Sequence, residues 1–198
     1  MPNERGASHG GQGGHSEGLT DSGANFEISH RKQRRTSSSM LIRPPVTESE
    51  FEAYYAFRWK ILREPWNQPL GSERDEFEDE AIHLAAWHNA GYLVGIGRLH
   101  RVAENRGQIR YMAVDPTQRS HGVGNAILQE LEARALALGI QEINLNSRQE
   151  AVPFYQKNGY QVLRPAHTLF GKIPHFEMWK RLDFVSNVDR MARDRRAK

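Results

Sequence analysis

No cysteine occurs among the 198 residues. Disulfide frameworks, cysteine–zinc sites, iron–sulfur clusters and a cysteinyl nucleophile are therefore all excluded. Long apolar runs are missing too, since none approaches the roughly 20 residues that span a bilayer. The opening Met1-Pro2-Asn3-Glu4-Arg5-Gly6 continues into Gly, Ser and His rather than an apolar signal segment. The expected compartment is the cytoplasm, with no membrane partner. Nor is there much surplus of one charge: 27 Lys+Arg stand against 24 Asp+Glu, a net charge of +3. The length suits one domain with appended tails.

Even that small surplus sits at the ends. Residues 1–39 hold five basic and four acidic side chains, and residues 183–198 hold five and three. Seventeen of each sign remain in 40–182, so the core is neutral and a nucleic-acid surface is not expected. Seven Gly and seven Ser among the first 39 residues leave too little apolar surface to offset ordering entropy. They read as a disordered N-terminal tail, and the run His30–Arg35 within it as solvated. Residues 183–198 read as a basic C-terminal tail in which Arg190–Lys198 form a short frayed helix. The domain is 40–182.

Within it, Met40–Arg43 read as a strand stopped by Pro44-Pro45. Thr47-Glu-Ser-Glu50 is a capping box, followed at helical spacing by Phe51, Tyr54, Tyr55, Trp59 and Leu62. Strands are expected at Ala81–Trp87, Tyr92–Arg101 and Gln108–Val114, joined by turns at His88–Gly91 and Glu104–Gly107. A helix follows over Asn125–Leu138, with Ile127, Leu128, Leu131, Ala135 and Leu138 on one face and Gly139 ending it. Then come a strand at Glu142–Asn146, a short helix at Val152–Asn158, and strands at Tyr160–Leu163 and His175–Leu182. A helix of that length between strands 108–114 and 142–146 requires a right-handed parallel crossover, while the short turns elsewhere imply antiparallel neighbours. The fold class is mixed α/β: a twisted mixed sheet with helices on both faces.

The chemistry concentrates in Tyr111-Met-Ala-Val-Asp-Pro-Thr-Gln-Arg-Ser-His-Gly-Val-Gly-Asn-Ala126. A strand ends, the chain turns, and Gly122 and Gly124 open the long helix. Glycines at a helix start let backbone N–H groups approach an anion, and the helix dipole adds about half a positive charge. A phosphate or pyrophosphate suits such a place, with Arg119 adding fixed charge. A Walker loop would need Gly-Lys-Ser/Thr, but Asn125-Ala126 follow Gly124; a Rossmann fingerprint would need a third glycine where Ile127 stands. Glycine spacing alone fits a plain tight turn nearly as well as an anion site.

Arg119-Ser-His-Gly-Val-Gly124 resembles the R/Q-x-x-G-x-G/A element of the GNAT acyltransferase superfamily. Ala151-Val-Pro-Phe-Tyr-Gln-Lys-Asn-Gly-Tyr160 resembles its A-x-x-F-Y-x-x-x-G-F/Y element. The two lie a helix and a strand apart, as in that superfamily. Gly171-Lys-Ile-Pro-His-Phe-Glu-Met178 is similar to the G-I-P-H-x-x-M of the ElaA-like branch, whereas Arg58–Gly71 departs from that branch's V-F-x-x-E-Q segment.

The resemblance implies an acetyl-CoA-dependent N-acetyltransferase acting on a primary amine of a small molecule or peptide. Acetyl-CoA would lie in a cleft between splayed parallel strands, edged by Met112–Val114 and Leu145–Ser147, beyond the strand C-termini. Backbone groups of Met112 and Val114 would pair with its amides, and a backbone N–H of Ala113 or Met112 would meet the oxyanion. The N–H groups of Arg119, Ser120, His121, Gly122, Val123, Gly124 and Asn125 would hold the pyrophosphate, His121 contributing mainly its backbone. Tyr155 would be the general acid toward the departing thiolate; the alternative is a packed aromatic above Phe154.

Gln108 stands where some members carry a glutamate base, and an amide cannot serve. His100 and His175 are the candidate bases, and His175 is placed in the acceptor pocket. Glu73, Asp75, Glu76, Glu78, Asp79 and Glu80 read as a solvated charged loop rather than an attractor for a cationic acceptor. Direct attack in a ternary complex is expected, with no metal. A non-catalytic acyl-CoA sensor is the competing reading, and a homodimer is left open.

Overall fold

An apolar helical stripe needs a sheet to cover it, and a computed structural model, which describes residues 40–183, shows that sheet. Its seven strands are β1 (Met40–Arg43), β2 (Ile82–His88), β3 (Leu93–Ala103), β4 (Arg106–Val114), β5 (Glu142–Arg148), β6 (Gln161–Leu169) and β7 (Ile173–Arg181). They lie in the order β1-β2-β3-β4-β5-β7-β6. Helix α1 (Glu48–Leu62) covers one face, while α2 (Val123–Ala137) and α3 (Val152–Lys157) cover the other. The mixed α/β class and the helices on both faces are as expected. Among the described residues no helix is long and apolar enough to cross a membrane. Residues 1–39 and 184–198, and with them the expected N-terminal tail, the helix at Arg190–Lys198 and all of the C-terminal tail but Asp183, lie outside the described residues.

Alternation along β2 shows why both faces are covered. Leu84 and Ala86 belong to the core under α2, while Ala85 and Trp87 face α1 with Tyr54, Ile96 and Ala113. On α2 four of the five residues of the expected stripe, Ile127, Leu128, Leu131 and Ala135, are at 0% exposure, whereas Leu138 caps the helix end and is 51% exposed. Gly95 and Gly97 permit the close approach, because a Cβ on Gly95 would stand 2.8 Å from both Ile127 and Val123. At the start of α1, the Thr47 side chain accepts from the Glu50 N–H, as the capping box requires. The Glu50 carboxylate takes the Val46 N–H and both terminal nitrogens of Arg43, tying β1 to the helix.

One strand differs from the sequence reading, and the sheet order adds a neighbour that reading did not give. The strand expected at Tyr160–Leu163 runs on to Leu169 and turns back through Phe170 and Gly171, at φ 53° and 67°. Leu169 pairs with Ile173, so three residues form the loop, and the Lys172 N–H donates to the Leu169 carbonyl across Phe170 and Gly171, whose positive φ suits the strand twist. That hairpin places β7, rather than β6, beside β5, antiparallel from Glu142↔Arg181 to Arg148↔His175. The parallel crossover is as expected: β4 and β5 pair at Arg106↔Glu142, Gly107↔Ile143 and Gln108↔Asn144.

Candidate active site

The β4–β5 ladder stops at Gln108↔Asn144, and the two strands then separate. The cause lies on β4. Ile96 pairs with Ala113 and Arg98 with Arg110, so Tyr111 and Met112 together face the single residue Gly97. This bulge bends the strand, and Tyr111 sits at φ 56°. A bulky residue in the left-handed region costs about 1 kcal/mol or more and persists only where its surroundings dictate it.

Those surroundings are a buried ionic cluster. The Tyr111 hydroxyl donates to Asp75 at 3.0 Å, and the guanidiniums of Arg58, Arg98 and Arg110 lie 4.3, 4.8 and 5.0 Å from its ring centre. Asp75 accepts from Arg98 and Arg110; Glu78 accepts from Arg58 and Arg98. Arg58 and Arg98 have no side-chain exposure at all. Burial opposes ionisation of Asp75, but the bonds from Arg98 and the Phe77 N–H outweigh it and hold the carboxyl well below the usual range.

The solvated loop expected at Glu73–Glu80 is therefore corrected in part. Glu76, Asp79 and Glu80 are exposed, but Glu73 is buried, and Asp75 and Glu78 neutralise arginines that α1 and β3 drive into the interior. None of these three carboxylates is free to attract a cationic acceptor.

Where the strands part, two cavities meet. The larger, about 620 Å³, is lined by Met112, Ala113, Val114, Arg119, Ser120, Gly122, Val123, Gly124 and Asn125. At its mouth Ser120 and Gly122 have φ of 64° and 83°, and no side chain caps the start of α2. The loop thus presents unclaimed N–H groups, the arrangement that binds anions. His121 is exposed and does not line the cavity. The smaller cavity, about 170 Å³, is lined by residues of β4, β5 and the β6–β7 hairpin, with Arg63 beyond the end of α1.

Tyr155 lines both cavities, as do Leu62, Met112, Arg148 and Ala151. Burial alone pushes its phenol well above the ordinary range, so the hydroxyl keeps its proton. Its ring also packs edge-on against Phe154 and Tyr160, so the packing read as an alternative from sequence is present alongside the site position.

His175 lines the smaller cavity. Its Nδ1 lies 2.9 Å from the Ile173 carbonyl oxygen, which can only accept, so Nδ1 carries the proton and Nε2 keeps a lone pair. Burial pulls its pKa below 6.5, so the ring is neutral at physiological pH. His167 stacks on it at 5.2 Å. His100, the other candidate base, is buried against Phe77 and lines neither cavity; Gln108 lies in the last paired step of β4 and lines neither. Sequence reasoning missed Arg63, Arg110, Arg148, Tyr111 and His167. Nothing local marks them, because the cavity gathers them from four separate segments: the end of α1, β4, β5 and β6.

A mixed sheet opened by a bulge beside an uncapped helix start agrees with what comparison finds. The model of the acetyltransferase (GNAT) family matches residues 51–160. The chain belongs to the GNAT acetyltransferase family. The uncharacterized N-acetyltransferase YjcF of Bacillus subtilis (strain 168) is 36% identical over 129 residues, 65% of this chain and 90% of that protein. Among solved structures, an aminoglycoside 6′-N-acetyltransferase complexed with coenzyme A superposes with TM-score 0.58 at 16% identity, over 72% of this chain and 96% of that one. ElaA of Escherichia coli superposes with TM-score 0.59 at 16% identity, over 72% and 98%. At such identities the two structures establish a shared fold. This GNAT chain is accordingly an acetyl-CoA-dependent N-acetyltransferase.

Proposed function

We propose that this GNAT enzyme acetylates a small primary amine by direct attack in a ternary complex, with His175 as base and Tyr155 as acid. The observation that carries this reading is the position of Tyr155 in the wall common to the two cavities. Acetyl-CoA supplies the activated acyl group.

The residues present fit that cosubstrate. The amides of Arg119–Asn125 cradle its diphosphate at the uncapped start of α2, with the Arg119 side chain alongside. Beyond Gln108 the β4 edge has lost its β5 partner, leaving Met112 and Val114 backbone groups to pair with amides as an added strand would. A backbone N–H of Met112 or Ala113 meets the negative charge growing on the carbonyl oxygen. His175 Nε2 takes a proton from the attacking amine, and the Tyr155 hydroxyl gives one to the departing sulfur. The two transfers balance, and solvent later exchanges the protons back.

Calorimetric titration with acetyl-CoA tests the cosubstrate end. Wild type should bind it, and Arg119→Glu should weaken binding about tenfold or more, since a charge that helped the phosphates now repels them. Gly124→Val should do the same by bulk: a Cβ there already meets Phe154 and Val114 at an ordinary 3.5 Å, so two further methyls take up room in the cavity that Gly124 lines. Unchanged affinity in both variants would make the loop a structural turn. A non-catalytic sensor would bind acetyl-CoA yet release no free thiol with any amine.

A further inference from the structure

Charge on the smaller cavity runs in one direction. Arg63, Arg110 and Arg148 line it, and no aspartate or glutamate does. Arg110 shares Asp75 with the fully buried Arg98, so that carboxylate is already committed. Arg63 is buried, and its described bonds go to the carbonyls of Ser72 and Leu62, which accept hydrogen bonds but bring no negative charge. Among the described residues neither Arg63 nor Arg148 has a carboxylate in salt-bridge range; Glu150, exposed and lining the larger cavity, acts on Arg148 only at longer range. Burial lowers the pKa of both guanidiniums, and for Arg63 the neighbouring Arg110 and Arg148 add repulsion.

A buried cation without a counter-charge is costly, and a guanidinium cannot escape by losing its proton. Its fork of donors fits a carboxylate or phosphate in two-pronged fashion. The diphosphate of acetyl-CoA does not account for the cluster. That group belongs to the loop at Arg119–Asn125, in a cavity that neither Arg63 nor Arg110 lines.

We infer that the acceptor is a small amine carrying a carboxylate or phosphate, anchored by Arg63, Arg110 and Arg148 with its nitrogen toward Tyr155 and His175. This rests on the N-acetyltransferase reading above and adds the substrate class to it. The cluster serves a second purpose. Positive charge nearby disfavours the ammonium form, so the amine is more readily available as the uncharged nucleophile. A polycation, by contrast, meets repulsion in a cleft of about 170 Å³.

The test compares matched amines on the full chain, with release of coenzyme A as the readout. β-Alanine is set against β-alaninamide, and O-phosphoethanolamine against ethanolamine; the two pairs separate a carboxylate requirement from a phosphate one. An anionic member should exceed its neutral partner in kcat/KM by about tenfold to a hundredfold, the worth of a charge-assisted hydrogen bond. Arg63→Gln and Arg148→Gln should each narrow that ratio. Arg63→Gln should also leave acetyl-CoA affinity within about twofold, because Arg63 lies outside the larger cavity. Equal or faster turnover of the neutral members would overturn the inference and leave the acetyltransferase reading standing. So would an acetyl-CoA-loaded enzyme that neither binds nor acetylates either anionic amine. Failure to bind acetyl-CoA at all would instead strike the underlying reading, and the inference with it.

Discussion

Glu78→Ala is expected to destabilise the protein by about 3–5 kcal/mol, the cost of removing one side of a buried ion pair, and to lower Tm by about 10 °C. The carboxylate holds Arg58 at 2.8 and 3.0 Å and Arg98 at 2.6 Å, and neither arginine has any side-chain exposure. Without it two guanidiniums stay in the interior with only Asp75 between them. The damage should not stop at stability. Arg58 and Arg98 both lie against the ring of Tyr111, the residue whose left-handed backbone opens β4. Relaxation of that ring should let β4 straighten and close the cleft, so turnover should fall even at temperatures where the variant remains folded. Urea denaturation with parallel rate measurements checks both effects. A loss below about 1 kcal/mol with unchanged turnover would show that the cluster behaves as an ordinary surface network.

The second large effect concerns Tyr155. Tyr155→Phe removes one oxygen from a ring otherwise held by Phe154 and Tyr160, so packing should survive. Turnover should fall about a hundredfold or more, the usual contribution of a general acid, with acetyl-CoA affinity within about twofold. Full turnover in this variant would remove the acid from its role.

The pH profile follows from the same two groups. Burial lowers the His175 pKa from 6.5, so its base form is lost only as pH falls through a value below 6.5, and the acid limb of kcat/KM should lie there. Burial raises the Tyr155 pKa from 10.0, so its proton is retained throughout the neutral range and no basic limb from this group should appear below 10.0. His175→Gln should abolish the acid limb while lowering the rate.

Features encoded by short-range period were legible in the sequence. The α2 stripe of Ile127, Leu128, Leu131 and Ala135 is buried as its spacing demands. The parallel β4–β5 step follows from helix length alone. The glycine loop lines the larger cavity because its backbone needs are written locally, in Gly122 at φ 83°. Three things were not legible, each because it depends on partners distant in sequence. The place of β7 beside β5 is decided by which hairpin edge finds β5, and β6 and β7 offer similar strands. Asp75 and Glu78 look like solvent-facing charge until α1 and β3 bring Arg58 and Arg98 against them. The bulge at Tyr111 carries no glycine to announce it, since this ring is held by arginines rather than by a permissive backbone. His100 illustrates the converse: an imidazole of suitable chemistry spent on packing against Phe77.

The most direct test of the account is a crystal structure of the chain with coenzyme A. It should show the diphosphate on the amides of Arg119–Asn125 and the sulfur within hydrogen-bond reach of the Tyr155 hydroxyl. A diphosphate bound elsewhere, or a sulfur remote from Tyr155, would contradict it.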